Sequence, residues 1–256
     1  MSQRLSLVNL PAEFAPVVDP RELTVGIVHL GLGAFHRAHQ AVFTEQAARV
    51  TGDARWGIAG VSQRSASVRD QLAPQDGLYS VLERGLGAPT IQVIGSIREV
   101  LTAPEDPEAV VARIADPAVA VVTLTVTEKG YRAAGGGGLD LTDPEILADL
   151  AGRPPRTVVG QLAAGLARRA ETGAAPLTVL SCDNLVANGP FLRRLMTDYA
   201  EASSLKGLPG QLGAARFPAS MVDRIVPATT AADRDEAARL LGVRDEAVVV
   251  AEPFLQ

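Results

Sequence analysis

The stretch VGIVHLGLGAFHRAHQAVF, residues 25–43, is an apolar run that breaks at two glycines and resumes as a helix-forming segment. Thr24 to Leu30 reads as a buried strand, and the spacing predicts a helix over 36–50 with Ala38, Val42, Ala47 and Val50 on its apolar face. A glycine at a strand exit allows a tight turn, and a second lets a pyrophosphate approach the backbone without meeting a β-carbon. Gly31 and Gly33 supply that pair. The third glycine of the usual pattern, which lets helix and strand pack closely, is replaced by His36. An imidazole there would hold the two elements apart unless its neighbours adapt. An ordinary strand-to-helix turn would account for two glycines equally well.

Working outward, β-rich runs alternate with helical ones, which favours an α/β fold with a largely parallel sheet. WGIAGVS (56–62), Val119 to Val126 and LTVLSC (177–182) read as strands, RTVVGQLAAGLARRAE (156–171) and PFLRRLMTDYAEA (190–202) as helices. Residues 78–101 resemble two extended segments joined by a Gly/Pro-containing turn. RAAGGGGLD (132–140) and SSLKGLPGQLG (203–213) read as surface loops that interrupt one pattern, not as linkers between domains.

Composition narrows the function. The formal charge of −5 argues against a nucleic-acid partner, which usually meets a basic face. No apolar run is long enough for a membrane helix, and the start carries no basic region before an apolar block, so a cytoplasmic protein without a membrane partner is expected. Cys182 is the only cysteine, which excludes a disulfide framework or cysteine zinc site within one chain. No metal site is expected. Lys129 and Lys206 are the only lysines, so a lysine base has two candidates. Tyr-x-x-x-Lys, Gly-Lys-Ser/Thr and His-Glu-x-x-His are all missing, which removes three common enzyme classes.

GLGAFHRAHQAVF (31–43), APQDGLYSVLERG (73–85), TLTVTEKGY (123–131), LSCDNLVANG (180–189) and FPASMVDRIVPAT (217–229) together resemble, in order, blocks of the polyol-specific long-chain dehydrogenases. That family includes mannitol 2-dehydrogenase and fructuronate reductase (mannonate oxidoreductase). The resemblance implies a Rossmann-type, doubly wound, largely parallel sheet with an inserted β-hairpin. It implies an arm over 1–22 and a dinucleotide-binding domain over 23–256, whose end opens the connection to a helical substrate domain missing from these residues.

It also implies NAD on the Gly31–Gly33 turn, with Phe35, His36 and Arg37 beside the phosphates, and a polyol or sugar-acid substrate. Thr125, Thr127 and Glu128 leave one strand at the carboxyl edge of the sheet, where ligands of open α/β sheets bind. Glu128 is implied to pass protons between the base and solvent; pairing with Lys129 is the alternative. Asn184 matches the family's active-site asparagine, whose amide can donate to a carbonyl or alkoxide oxygen. Asp183 and Asn184 could otherwise cap the next helix. Asp223 matches a polar residue near substrate, or else pairs with Arg224 or another arginine. His29 and His39 are expected to be structural, His29 as a satisfied core histidine and Cys182 as an apolar filler.

Two features depart from the family. GVSQRSASVRD (60–70) offers no carboxylate for a ribose 2′-OH before Asp70, whereas Ser62, Arg64 and Ser65 suit a phosphate, so NADP is admitted beside NAD. The family's base lies in a Lys-x-x-x-x-Asn-x-x-His pattern, and these residues contain none. The 256 residues are therefore expected to bind cofactor but transfer hydride negligibly. A non-catalytic dinucleotide module is the rival reading. Oligomeric state is left open.

Overall fold

A computed structural model describes residues 3–256. Eight strands and nine helices follow in chain order: β1 (Val25–Leu30), α1 (Ala34–Ala38), α2 (Gln40–Thr51), β2 (Gly57–Ser62), α3 (Ser67–Leu72), β3 (Tyr79–Glu83), β4 (Thr90–Ile94), β5 (Ile97–Thr102), α4 (Pro107–Ala115), β6 (Val121–Leu124), α5 (Pro144–Leu150), α6 (Val158–Thr172), β7 (Thr178–Ser181), α7 (Asn188–Ala202), α8 (Leu208–Ala214), α9 (Ala231–Leu241) and β8 (Val249–Ala251), among the described residues. The main sheet has the order β5-β2-β1-β6-β7, and every pairing in it is parallel. The strand order reverses between β1 and β6, which opens a crevice at their carboxyl ends. The Rossmann-type sheet expected from the sequence is present.

Side chains alternate along β1 and feed two cores. Val28 and Leu30 join Val122, Leu124, Ile114, Leu162 and Leu166 under α4 and α6, while Ile27 packs with Ala41, Val42 and Ile58 under α2. The long helix α6 is bounded by Thr157, whose hydroxyl accepts from the Gly160 N–H at 2.9 Å, and by Gly173 in the left-handed region. A second sheet, β4-β3-β8, is the expected hairpin joined by a distant parallel strand.

Three local expectations are corrected. The single helix over 36–50 is two helices, because His39 leaves helical geometry (φ −124°, ψ −93°), and Ala47 and Val50 face solvent. Residues 78–101 hold three strands, since the chain crosses at Gly95–Ser96 from the hairpin into the main sheet. SSLKGLPGQLG is only half loop: Leu208 starts α8 with Pro209 in its first turn, and the helix buries Leu208 and Leu212. Leu5, ahead of β1, is wholly buried, and its N–H donates to Arg244 O at 2.7 Å. Among the described residues no helix is long and apolar enough to cross a membrane.

Candidate functional site

A cleft of about 810 Å³ opens at the carboxyl ends of β1, β2, β5 and β6. Its lining includes Gly31 and Gly33, the run from Ser62 to Ser65, Thr125 and Thr127, with Lys129, Arg132 and Arg156 on the rim. Of these cations Arg132 is spent on Asp143 and Glu145. Arg64, Lys129 and Arg156 form no ion pair among the described residues. An acidic chain thus presents a basic cleft, the electrostatic setting for an anionic ligand.

The two glycines serve different ends. Gly31 has φ +105°, and a β-carbon there would lie 2.0 Å from Thr125 O, so the fold itself requires glycine. Gly33 has ordinary extended backbone (φ −127°, ψ −171°), and a β-carbon would meet nothing nearer than Gly31 O at 3.7 Å. Its bare Cα leaves the cleft floor open.

The β1 exit is pinned from beneath. Thr125 Oγ1 donates to Gly31 O at 3.0 Å, so it receives the proton of His29 Nε2 at 2.8 Å, and the other ring nitrogen of His29 accepts from Thr123 Oγ1 at 2.7 Å. His29 is the satisfied core histidine expected. Burial drives its pKa well below the usual value, so the ring is neutral.

Phe35, His36 and Arg37 do not reach the cleft, contrary to their expected place beside phosphates. His36 is wholly buried, bonded to Gln40 Oε1 at 2.6 Å and pressed against His29, the flat neighbour that accommodates an imidazole in the third glycine's place. Arg37 is also buried: its guanidinium donates to Ala247 O at 2.6 Å and lies 5.6 Å from the Tyr79 ring. One turn past Gly33, α1 has already turned this position toward the second sheet. Phe35 stacks on His39, with centroids 4.9 Å apart.

Glu128, Asn184 and Asp223 are exposed and lie outside the cleft lining. None is engaged as its structural alternative required. Glu128 forms no ion pair with Lys129, and Asp223 none with Arg224, which is buried and paired with Glu83. Asn184 does not cap α7, which starts four residues later behind Ala187 without a side-chain cap. No side-chain hydrogen bond holds any of the three among the described residues.

Asp183, expected at most to cap a helix, pairs instead with Tyr131. Asp183 accepts the Tyr131 hydroxyl proton at 2.5 Å, and burial pushes its carboxyl up to about 6. Tyr131 and Asp183 were both within quoted blocks, but no spacing rule joins residues 52 positions apart. Cys182 is buried, and no group of three or more His, Cys, Asp or Glu able to hold a metal occurs among the described residues.

The family profile described as the mannitol dehydrogenase Rossmann domain matches residues 25–256. A mannitol 2-dehydrogenase of Pyrenophora tritici-repentis is 42% identical over 256 residues, covering 98% of this chain and 45% of its own. A crystal structure of D-sorbitol dehydrogenase in substrate-free form superposes with a TM-score of 0.91 at 38% identity, over 100% of this chain and 54% of that one. The Pseudomonas fluorescens mannitol 2-dehydrogenase, in a ternary complex with NAD and D-mannitol, gives 0.92 at 36% identity, over 99% and 54%. The chain spans about half the length of the relatives it matches.

Proposed function

The chain belongs to the mannitol dehydrogenase family, and from that membership and the cleft we propose that it is the NAD-binding part of a polyol or hexonate dehydrogenase. Gly33 carries the reading. Nothing inside the fold demands glycine there, whereas a pyrophosphate crossing the cleft floor needs the missing β-carbon. The basic rim and the unpartnered, buried hydroxyl of Ser62, a residue of the cleft wall, fit that group. Gly31, Gly33, Thr125 and Thr127 hold the dinucleotide, and its adenosine end lies along Ser62 and Arg64. Phe35, His36 and Arg37 support the turn from behind.

When bound, the nicotinamide supplies hydride exchange with a secondary alcohol carbon. Asn184 donates its amide N–H to the substrate oxygen and so stabilises developing negative charge. Glu128 carries a proton between the base and bulk water, and Asp223 orients a substrate hydroxyl. All three side chains are free for these tasks, which a mere binding module has no use for. Neither lysine here sits in a Lys-x-x-x-x-Asn-x-x-His pattern, so the 256 residues alone bind cofactor without appreciable turnover. The family's substrates, mannitol or mannonate and the corresponding ketoses or ketouronates, are the expected class, and the cytoplasm is the expected compartment.

The test has two parts. Calorimetric titration of the 256-residue chain with NAD should give saturable binding at one site. A panel of polyols and hexonates, offered with NAD to a protein that also carries the lysine pattern, should yield reduced nicotinamide. Absence of binding by the chain would overturn the proposal.

A further inference from the structure

The end of β2 differs from the rest of the cleft in what it lacks. A carboxylate at this point normally accepts the ribose 2′-OH and repels a 2′-phosphate. Here the first carboxylate after the strand is Asp70, which Arg69 already holds at 3.1 Å and which does not line the cleft. Gln63, the one long neutral side chain, is also taken: it exchanges two amide hydrogen bonds with Gln161, at 2.9 and 3.1 Å.

What remains along this wall carries no anion. Ser62 lines the cleft but is only 5% exposed, and its hydroxyl is buried in the wall without a partner. Arg64 is exposed on the same wall with neither an ion pair nor a side-chain hydrogen bond among the described residues. The hydroxyls of Ser65 and Ser67 lie 3.0 Å apart beside it. One guanidinium and the hydroxyl protons left over from the Ser65–Ser67 bond, with no anion among them, suit a dianionic phosphate monoester better than a neutral 2′-OH.

We infer that Ser62, Arg64 and Ser65 form a 2′-phosphate site, so that this chain binds NADP at least as tightly as NAD. The inference rests on the dinucleotide reading above and adds the specificity of its adenosine end. Ser62 donates from within the wall, Arg64 supplies the charge, and Ser65 closes the outer side.

Parallel calorimetric titrations of the 256-residue chain with NAD and NADP test it. The expected result is an NADP dissociation constant no larger than that for NAD. Arg64→Ala should weaken NADP by about 10-fold or more, and at least about fivefold more than it weakens NAD. Ser65→Asp, an exposed substitution, should reject NADP selectively and keeps the test informative if Arg64→Ala folds poorly. NAD binding with NADP excluded would overturn the 2′-phosphate site alone, as would an Arg64→Ala variant that weakens both dinucleotides alike. Failure of both dinucleotides to bind would overturn the parent reading as well.

Discussion

His36 lies flat against His29, with ring centroids 3.4 Å apart and planes 17° from parallel. The contact stands where a Rossmann turn usually has a glycine, and it works only while both rings are uncharged. Burial pushes His36 down to about 3 and holds His29 well below its usual value.

Acid should therefore destabilise the protein in a way that traces to this stack. The unfolded chain takes up the His36 proton below its ordinary 6.5, and the folded chain only near 3. Between those values the unfolded state holds more protons, so stability falls as pH drops, by about 1.4 kcal/mol per pH unit for one such group. His36→Asn should give a shallower decline by about that slope between about pH 6 and 4. Urea unfolding at stepped pH measures it, and parallel curves for parent and variant would refute it.

Thr125 transmits the His29 ring to the cofactor turn. Thr125→Val removes the hydroxyl and leaves His29 Nε2–H and Gly31 O without their partner, a loss of about 1–3 kcal/mol. NAD affinity should fall about 10-fold, whereas Thr125→Ser, which keeps the hydroxyl, should bind within about twofold of the parent. Equal losses in both variants would mean that the methyl group, not the hydrogen bond, matters.

Alanine at the two glycines should separate folding from binding. Gly31→Ala forces a β-carbon against Thr125 O, 2.0 Å away, in a left-handed backbone, and should abolish soluble folded protein. Gly33→Ala meets no obstacle within the chain, so circular dichroism and melting temperature should match the parent. Its calorimetric titration with NAD should nevertheless be flat or nearly so. Normal binding by Gly33→Ala would remove the main support for a dinucleotide on the cleft floor.

Arg37 should prove to be a brace. Its buried charge is satisfied by Ala247 O, and truncation to alanine leaves that carbonyl unpaired and a void beside Tyr79. We expect a loss of about 2–3 kcal/mol, a fall of roughly 5–10 °C in melting temperature, with NAD affinity little changed. A phosphate ligand would behave in the opposite way, losing affinity at constant stability.

These contrasts show where sequence reading reaches its limit. The parallel sheet, β1, β2, β6, β7 and the helices α6 and α7 were legible because apolar periodicity and turn residues act within a few positions of each other. Gly31, Gly33, Ser62, Arg64, Thr125 and Thr127 follow the strand ends directly, so strand prediction carried them to the cleft. Phe35, His36 and Arg37 did not follow, because the rotation of a short helix depends on partners such as Tyr79 and Ala247, far away in sequence. The rim cations Lys129 and Arg156 were hidden for a related reason: a charged residue on a loop looks alike in sequence whether it faces a ligand or bulk water.

The pairing of β8 with β3 has a consequence for how the molecule is made. Val81 and Val249 are neighbours across 168 positions of chain, and Arg37 clamps the segment that leads into β8. As a ribosome delivers the polypeptide, the five parallel strands can associate once Ser181 is free of the exit tunnel, but the hairpin must wait with its edge unpaired. A nascent chain halted shortly before Val249 would expose that edge to any passing strand, and chaperones should engage it there.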